Sequence, residues 1–251
     1  MSRRFAWTVA LTHAGIAVWL VPPRAAHQGS AAATRADALL DVLIRGVPHV
    51  HQKPDFCGEA CLAMYLNRLG KSVDQDWVFD QTGVDPRLGR GAYTAELVRA
   101  ARRIGFDTGD VWYKVPAANA AAGLDAQFRA LHADLGRGIP SIVCTRYDDR
   151  RGSSEHFRLV LGYDARRDEV VYHEPAVAAG AYQRMKRAEL LKLWPLHYER
   201  DTFTVIRIRL EQGDLAVRPT PGGFGPAAFA QHMMELRKKL PPGFSVVEAY
   251  E

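Results

Sequence analysis

From Cys57 to Leu66 the chain reads as a helix that is apolar on most of its sides. Ala60, Cys61, Met64 and Leu69 recur at helical spacing, and Leu62, Tyr65 and Leu66 widen the stripe. Such a helix is buried, so the remaining elements have to be arranged around it. Gly70 closes it as a left-handed cap. Asp55 reads as the N-cap, which places Cys57 in the first turn. That end of a helix carries about half a positive charge, which favours a thiolate over a thiol. Cys57 is therefore a candidate nucleophile. The other reading is a small buried hydrophobe, as free cysteines usually are.

The rest of the composition narrows the classes. In 251 residues, 47% are hydrophobic and 24% charged, which is ordinary for a soluble globular chain. The net charge of +5 comes from arginines scattered among acids, with no basic stripe interleaved with aromatics, so nucleic-acid binding is not expected. Three cysteines cannot all pair; Cys61 and Cys144 read as core residues or as a bridged pair. Ser2-Arg3-Arg4, the largely apolar Phe5 to Val21, Pro22-Pro23 and the small residues Ala31 to Ala33 follow the order of an export signal. A secreted or periplasmic protein is the expectation; an anchor helix or a flexible cytoplasmic tail are the alternatives. No other segment is long and apolar enough to span a bilayer.

In chain order, residues 1–36 read as signal and linker, 37–211 as one domain, and 212–251 as a Pro/Gly linker followed by a helix and a strand. Ala38 to Ile44 is a short helix or strand. Val47 to Gln52 alternates and reads as an edge strand that delivers Gln52. Helices are expected over Asp74 to Gln81, Thr94 to Ile104 and around Leu124 to Leu135, whose apolar residues are four, three and four apart. Val111 to Tyr113 is a strand or irregular. The second half changes period. Strands are expected at Ile139 to Thr145, His156 to Tyr163, Val170 to Glu174, Tyr182 to Met185 and Thr202 to Leu210, with a short helix over Arg187 to Trp194. Pro226 to Leu240 is amphipathic, and Phe244 to Val247 reads as a strand. Helices first and antiparallel strands later give an α+β fold.

A cysteine nucleophile needs a base, a group to orient the base, and donors for an oxyanion. Among nine histidines, His156 is the best base, because it opens a strand after a polar loop and is both rigid and accessible. His49 and His51 form an H-x-H pair with no carboxylate or cysteine nearby, which is weak metal spacing. If the hairpin after His156 has a three-residue loop, Ala165 to Arg167, then Arg158 faces Glu174, and Glu174 shares a face with His156 one diagonal step away. A two-residue loop sends Glu174 to the other face. Gln52 and the backbone N–H of Cys57 are the candidate oxyanion donors.

Four segments then appear together: Gln52 with Cys57-Gly58-Glu59-Ala60-Cys61-Leu62, Gly138 to Val143, His156 to Asp164, and Val171 to Ala176. In this order they resemble the papain-like cysteine peptidases related to bacteriocin leader-processing domains, over roughly residues 45–210. The resemblance implies a papain-like fold, with a helical half whose nucleophile helix packs on an antiparallel sheet. It implies a thiol peptide hydrolase with Cys57 as nucleophile, His156 as base, Glu174 as third member and Gln52 in the oxyanion hole. Its substrates would be peptides or proteins, with no metal or organic cofactor. The family usually has Asp-Pro where this chain has Glu174-Pro175, and its glutamine usually lies one residue further from the cysteine. Leader-processing members sit on ATP-driven exporters; with no transmembrane bundle or phosphate-binding loop here, that substrate is not expected. An acyl transferase or amidase on the same triad, or an inactive peptide-binding module, are the rival readings.

Overall fold

The computed structural model describes residues 38–211 and 225–239, and of these the residues from Leu39 onward belong to one compact unit. Its centre is an eight-stranded sheet with antiparallel pairings throughout. The strands are β1 (Val42–Leu43), β2 (Trp112–Pro116), β3 (Ser141–Arg146), β4 (Glu155–Asp164), β5 (Glu169–His173), β6 (Gln183–Lys186), β7 (Leu196–Glu199) and β8 (Thr202–Ile208). They lie in the order β2-β8-β3-β4-β5-β6, with β1 beside β4 and β7 beside β8. The helices are α1 (Cys57–Arg68), α2 (Gln75–Thr82), α3 (Thr94–Arg103), α4 (Ala120–Gly136), α5 (Arg187–Leu193) and α6 (Pro226–Arg237). The expected α+β layout is present. β7 and a 3-10 turn at Pro86–Leu88 are additions that periodicity does not signal, being too short to show a period.

α1 is enclosed as its composition requires. Every residue from Gly58 to Leu66 is buried, and the helix packs on β3 and β4 as well as on α2 and α3. Its start differs from expectation. Asp55 is not the cap: its backbone has φ of +58°, Phe56 takes the cap position, and no side chain caps the first turn. The left-handed turn at Asp55, a conformation Asp tolerates better than most residues, delivers the Phe56 ring to the core. There it stacks on Phe79 with centroids 5.0 Å apart.

Val47 to Gln52 forms no strand. Single bonds, several of them from side chains, replace a ladder. His173 Nε2 donates to the Val47 carbonyl (3.0 Å) and His49 Nε2 to the Glu174 carbonyl (2.9 Å). Gln52 N–H donates to the Pro175 carbonyl (2.8 Å). Gln75, at the start of α2, clamps the other side by accepting Lys53 N–H and donating to the His51 carbonyl.

The β4–β5 hairpin reaches the expected pairing by a different route. Its loop has four residues, because Asp164 pairs with Glu169. Continued without interruption, that register would set Leu159 opposite Glu174 and turn His156 away. The ladder instead shifts by one residue between Gly162 and Val160, so that Val160 faces Tyr172 and Leu159 faces His173. Leu161 is the extra residue of a β-bulge. Extending the pairing by one step brings Arg158 opposite Glu174.

α6 packs on the Pro86–Leu88 turn and α2, and Ala227 N–H bonds Asp80. The signal and linker reading of 1–36, the 212–224 linker and the Phe244 to Val247 strand lie outside the described residues. Among those residues no helix is long and apolar enough to cross a membrane, and all three cysteines are free thiols.

Gly162 sits where β1 joins β4. A Cβ there would lie 2.5 Å from the Val42 carbonyl oxygen and 2.9 Å from a Leu43 methyl. Gly162→Val is expected to cost about 1–3 kcal/mol, read as a lower midpoint in chemical denaturation. An unchanged midpoint would mean that β1 is not docked there.

Candidate active site

Glu174 follows the last residue of β5 directly. Its Oε1 accepts His156 Nε2–H at 2.5 Å and the Ala176 N–H at 3.0 Å, and its Oε2 accepts Arg158 Nε–H at 2.8 Å. His156 and Arg158 stand two apart on β4, so one register serves both. The Arg158 guanidinium also donates to Thr145 Oγ1 (2.5 Å) and the Tyr147 carbonyl (2.8 Å). The three side chains are buried, at 5%, 5% and 6% exposure for His156, Arg158 and Glu174. Burial alone would raise the Glu174 carboxyl. The His156 bond and charge, then Arg158 and the Ala176 N–H, outweigh it and hold Glu174 below the usual range. With Nε2 donating to Glu174, Nδ1 is the imidazole nitrogen left to accept a proton. The Tyr147 ring meets the imidazole edge-on, centroids 5.0 Å apart.

Cys57 opens α1 and lines a cleft of about 950 Å³ together with Gln52 and His156. The backbone N–H groups of Phe157, the residue after His156, and of Gly58 favour its anion. The expectation of an easily ionised thiol is not met. Burial pushes it up to about 11; the Phe157 and Gly58 amides pull the other way, and Glu59 and Asp55 push it further up. Desolvation is the larger effect and outweighs the favourable end of the helix. The thiol rests neutral at neutral pH.

Gln52 reaches the same cleft. Its backbone is fixed to Pro175, one residue from Glu174, and its side-chain Oε1 is buried with no hydrogen-bond partner. His49 and His173 belong to the scaffold. His173 accepts Tyr182 N–H at Nδ1 and bonds Val47 through Nε2. Burial, reinforced by His49, lowers its basicity, although the Val47 bond acts the other way.

Sequence reasoning missed part of the site. Arg158 is the second partner of Glu174, and the hairpin register that pairs the two carried that signal. The cleft rim is aromatic: Tyr93, Trp112, Tyr147 and Tyr198 all line it and are 41–65% exposed. No local pattern marks these four, because they come from distant segments. Arg90, stacked 4.0 Å from the Tyr93 ring centroid and ion-paired with Glu96, stiffens one wall.

A family model described as "Peptidase_C39 like family" matches residues 44–201. Among solved structures, the chain is similar to the peptidase domain of Streptococcus ComA, a bi-functional ABC transporter. The identity is 15% and the TM-score 0.42, over 66% of this chain and 100% of that one. It is also similar to a double glycine motif protease from an AMS/PCAT transporter in complex with the leader peptide. There the identity is 18% and the TM-score 0.41, over 67% of this chain and 99% of that one. A comparison with curated proteins finds no match.

The half-buried thiol sets a pH dependence. Alkylation of Cys57 by iodoacetamide is expected to accelerate continuously from pH 6 to pH 10, as the thiolate fraction grows toward a titration near 11. A rate already level from pH 5 upward would show a preformed thiolate–imidazolium pair.

Proposed function

Because this chain belongs to the Peptidase_C39 like family, a family of cysteine peptidases, we propose that it hydrolyses peptide bonds through a Cys57–His156–Glu174 triad. One observation carries the reading. Cys57, His156 and Gln52 line a single cleft, and His156 is oriented from behind by a carboxylate that is itself fully bonded. The longer Glu in place of the family's usual Asp is accommodated, since both of its oxygens have partners.

In the proposed cycle, His156 Nδ1 takes the thiol proton as Sγ attacks the scissile carbonyl carbon. The developing oxyanion is received by the Gln52 amide and the Cys57 N–H, which lies at the free end of α1. The C–N bond breaks, His156 returns the proton to the leaving amine, and a thioester acyl-enzyme remains. A water that gives its proton to His156 then attacks the thioester and releases the acid and the thiol. Glu174 keeps the imidazole in the Nε2–H tautomer and stabilises the imidazolium, while staying ionised throughout.

The proposed substrates are peptides or flexible protein segments. The cleft volume suits several residues, and its exposed aromatic rim suits apolar side chains. The proposed setting is outside the cytoplasm, on the basic–apolar–proline order of residues 2–23. N-terminal sequencing of protein recovered from cells checks that point by loss of the segment ahead of the domain.

A peptide library with mass-spectrometric readout tests the activity. Cys57→Ala is expected to abolish cleavage and labelling by a thiol-directed inhibitor together. Gln52→Ala is expected to lower kcat about 100-fold with KM little changed, and Glu174→Gln to lower kcat by about 100-fold or more. Hydrolysis surviving in the Cys57 variant would overturn the proposal.

A further inference from the structure

Among its buried residues α1 carries one acid. Glu59 has 0% exposure. Its Oε1 accepts the Ala92 N–H at 2.6 Å, while Oε2 is buried with no hydrogen-bond partner. Arg90 lies within electrostatic reach but is committed elsewhere: its two terminal nitrogens bond Glu96 at 2.7 and 2.8 Å. An ionised carboxylate in this position would have backbone donors alone and no cation bonded to it, an arrangement that costs several kcal/mol. The geometry requires the neutral acid.

What Glu59 holds is part of the cleft wall. Arg90, Gly91, Ala92 and Tyr93 line the same cleft as Cys57 and His156. Gly91 is pressed against the turn that precedes the nucleophile: a Cβ there would lie 2.0 Å from the Asp55 carbonyl oxygen and 3.3 Å from Glu59 Oε1. Wall, turn and carboxyl are thus in direct contact, two residues from the thiol.

We infer that Glu59 is a positioning residue for the proposed peptidase, pinning the wall to the nucleophile helix as a neutral acid and retarding Cys57 when it ionises. The catalytic part of this inference rests on the peptidase reading; the electrostatic part does not. The charged and titratable groups facing Glu59 are Cys57 and Cys61 on its own helix, Arg90 in the wall and Glu96 on α3. Burial pushes Glu59 up to about 8; the Ala92 N–H and its own N–H act against that, Glu96 raises it further and Arg90 lowers it.

The sign follows from proton linkage. Between the ordinary glutamate value of 4.5 and about 8 the folded chain holds a proton that the unfolded chain has lost. This contribution to stability is full below 4.5, falls as pH rises through the window, and is gone above it. Glu59→Gln removes that slope.

Two measurements need no substrate. The melting temperature of Glu59→Gln relative to wild type should rise steadily from pH 5 to pH 8 and then level. The ratio of Cys57 alkylation rates, variant over wild type, should stay near one below pH 7 and reach about threefold or more above pH 9, where only the wild type carries the added charge. In peptide cleavage at pH 7, Glu59→Ala should lose about tenfold or more in kcat/KM through the lost wall contact, and Glu59→Gln should restore most of it. If Glu59→Gln does not fold, the near-isosteric Glu59→Met serves both substrate-free measurements. Parallel melting curves and a pH-independent alkylation ratio would overturn the inference. Absence of any cleavable peptide would sink the peptidase reading while leaving those two results interpretable.

Discussion

Three hydrogen bonds onto the Glu174 carboxylate tie the site to the fold. They come from His156 and Arg158 on β4 and from Ala176 in the loop beyond β5, while His49, from the segment before α1, takes the Glu174 backbone carbonyl. The same interaction therefore orients the candidate base and neutralises a buried guanidinium. Breaking one member of a buried pair costs about 3–5 kcal/mol, a large part of the 5–15 kcal/mol that holds a domain together. Glu174 cannot be tuned for chemistry without a structural penalty. The His156 bond and charge, followed by Arg158 and the Ala176 N–H, keep the carboxylate ionised despite its burial.

The hairpin shows how much of this was legible in the residues and where legibility ended. The pairing of Arg158 with Glu174 follows from assuming an odd loop, and the pairing is present. The loop, however, is even, and a bulge at Leu161 makes up the difference. Bulges leave little trace in composition, since the extra residue here is an ordinary buried leucine. The order of α1, the later helices and the strands was readable because each has a clear period. The stretch from Val47 to Gln52 was not, because its alternation resembles a strand while its bonds run largely through the side chains of its own His49 and of His173 and Gln75. Glu59 was hidden for another reason: an acid in the first turn of a helix already has an ordinary explanation in the helix dipole.

Two effects compete at the thiol. The start of α1 favours the anion, and enclosure of the same helix disfavours it. The enclosure wins, because the apolar run that makes α1 central also strips water from its first residue. One property of the sequence thus fixes both the position of Cys57 and its resting protonation. In the proposed cycle, proton transfer to His156 then belongs to the reaction step rather than to the ground state.

β8 has a consequence for how the chain can be divided. It lies between β2 and β3, with Ile206 paired to Trp112 on one side and Cys144 on the other, and it also carries β7. It begins at Thr202, immediately after the family-matched stretch ends. A fragment cut at that boundary would keep the candidate triad but leave β2 and β3 as bare, partly apolar edges. Unpaired edges of that kind recruit strands from neighbouring chains. A piece of this protein that keeps β2 and β3 paired therefore extends to Ile208, and a shorter one offers both strands to a second copy of itself.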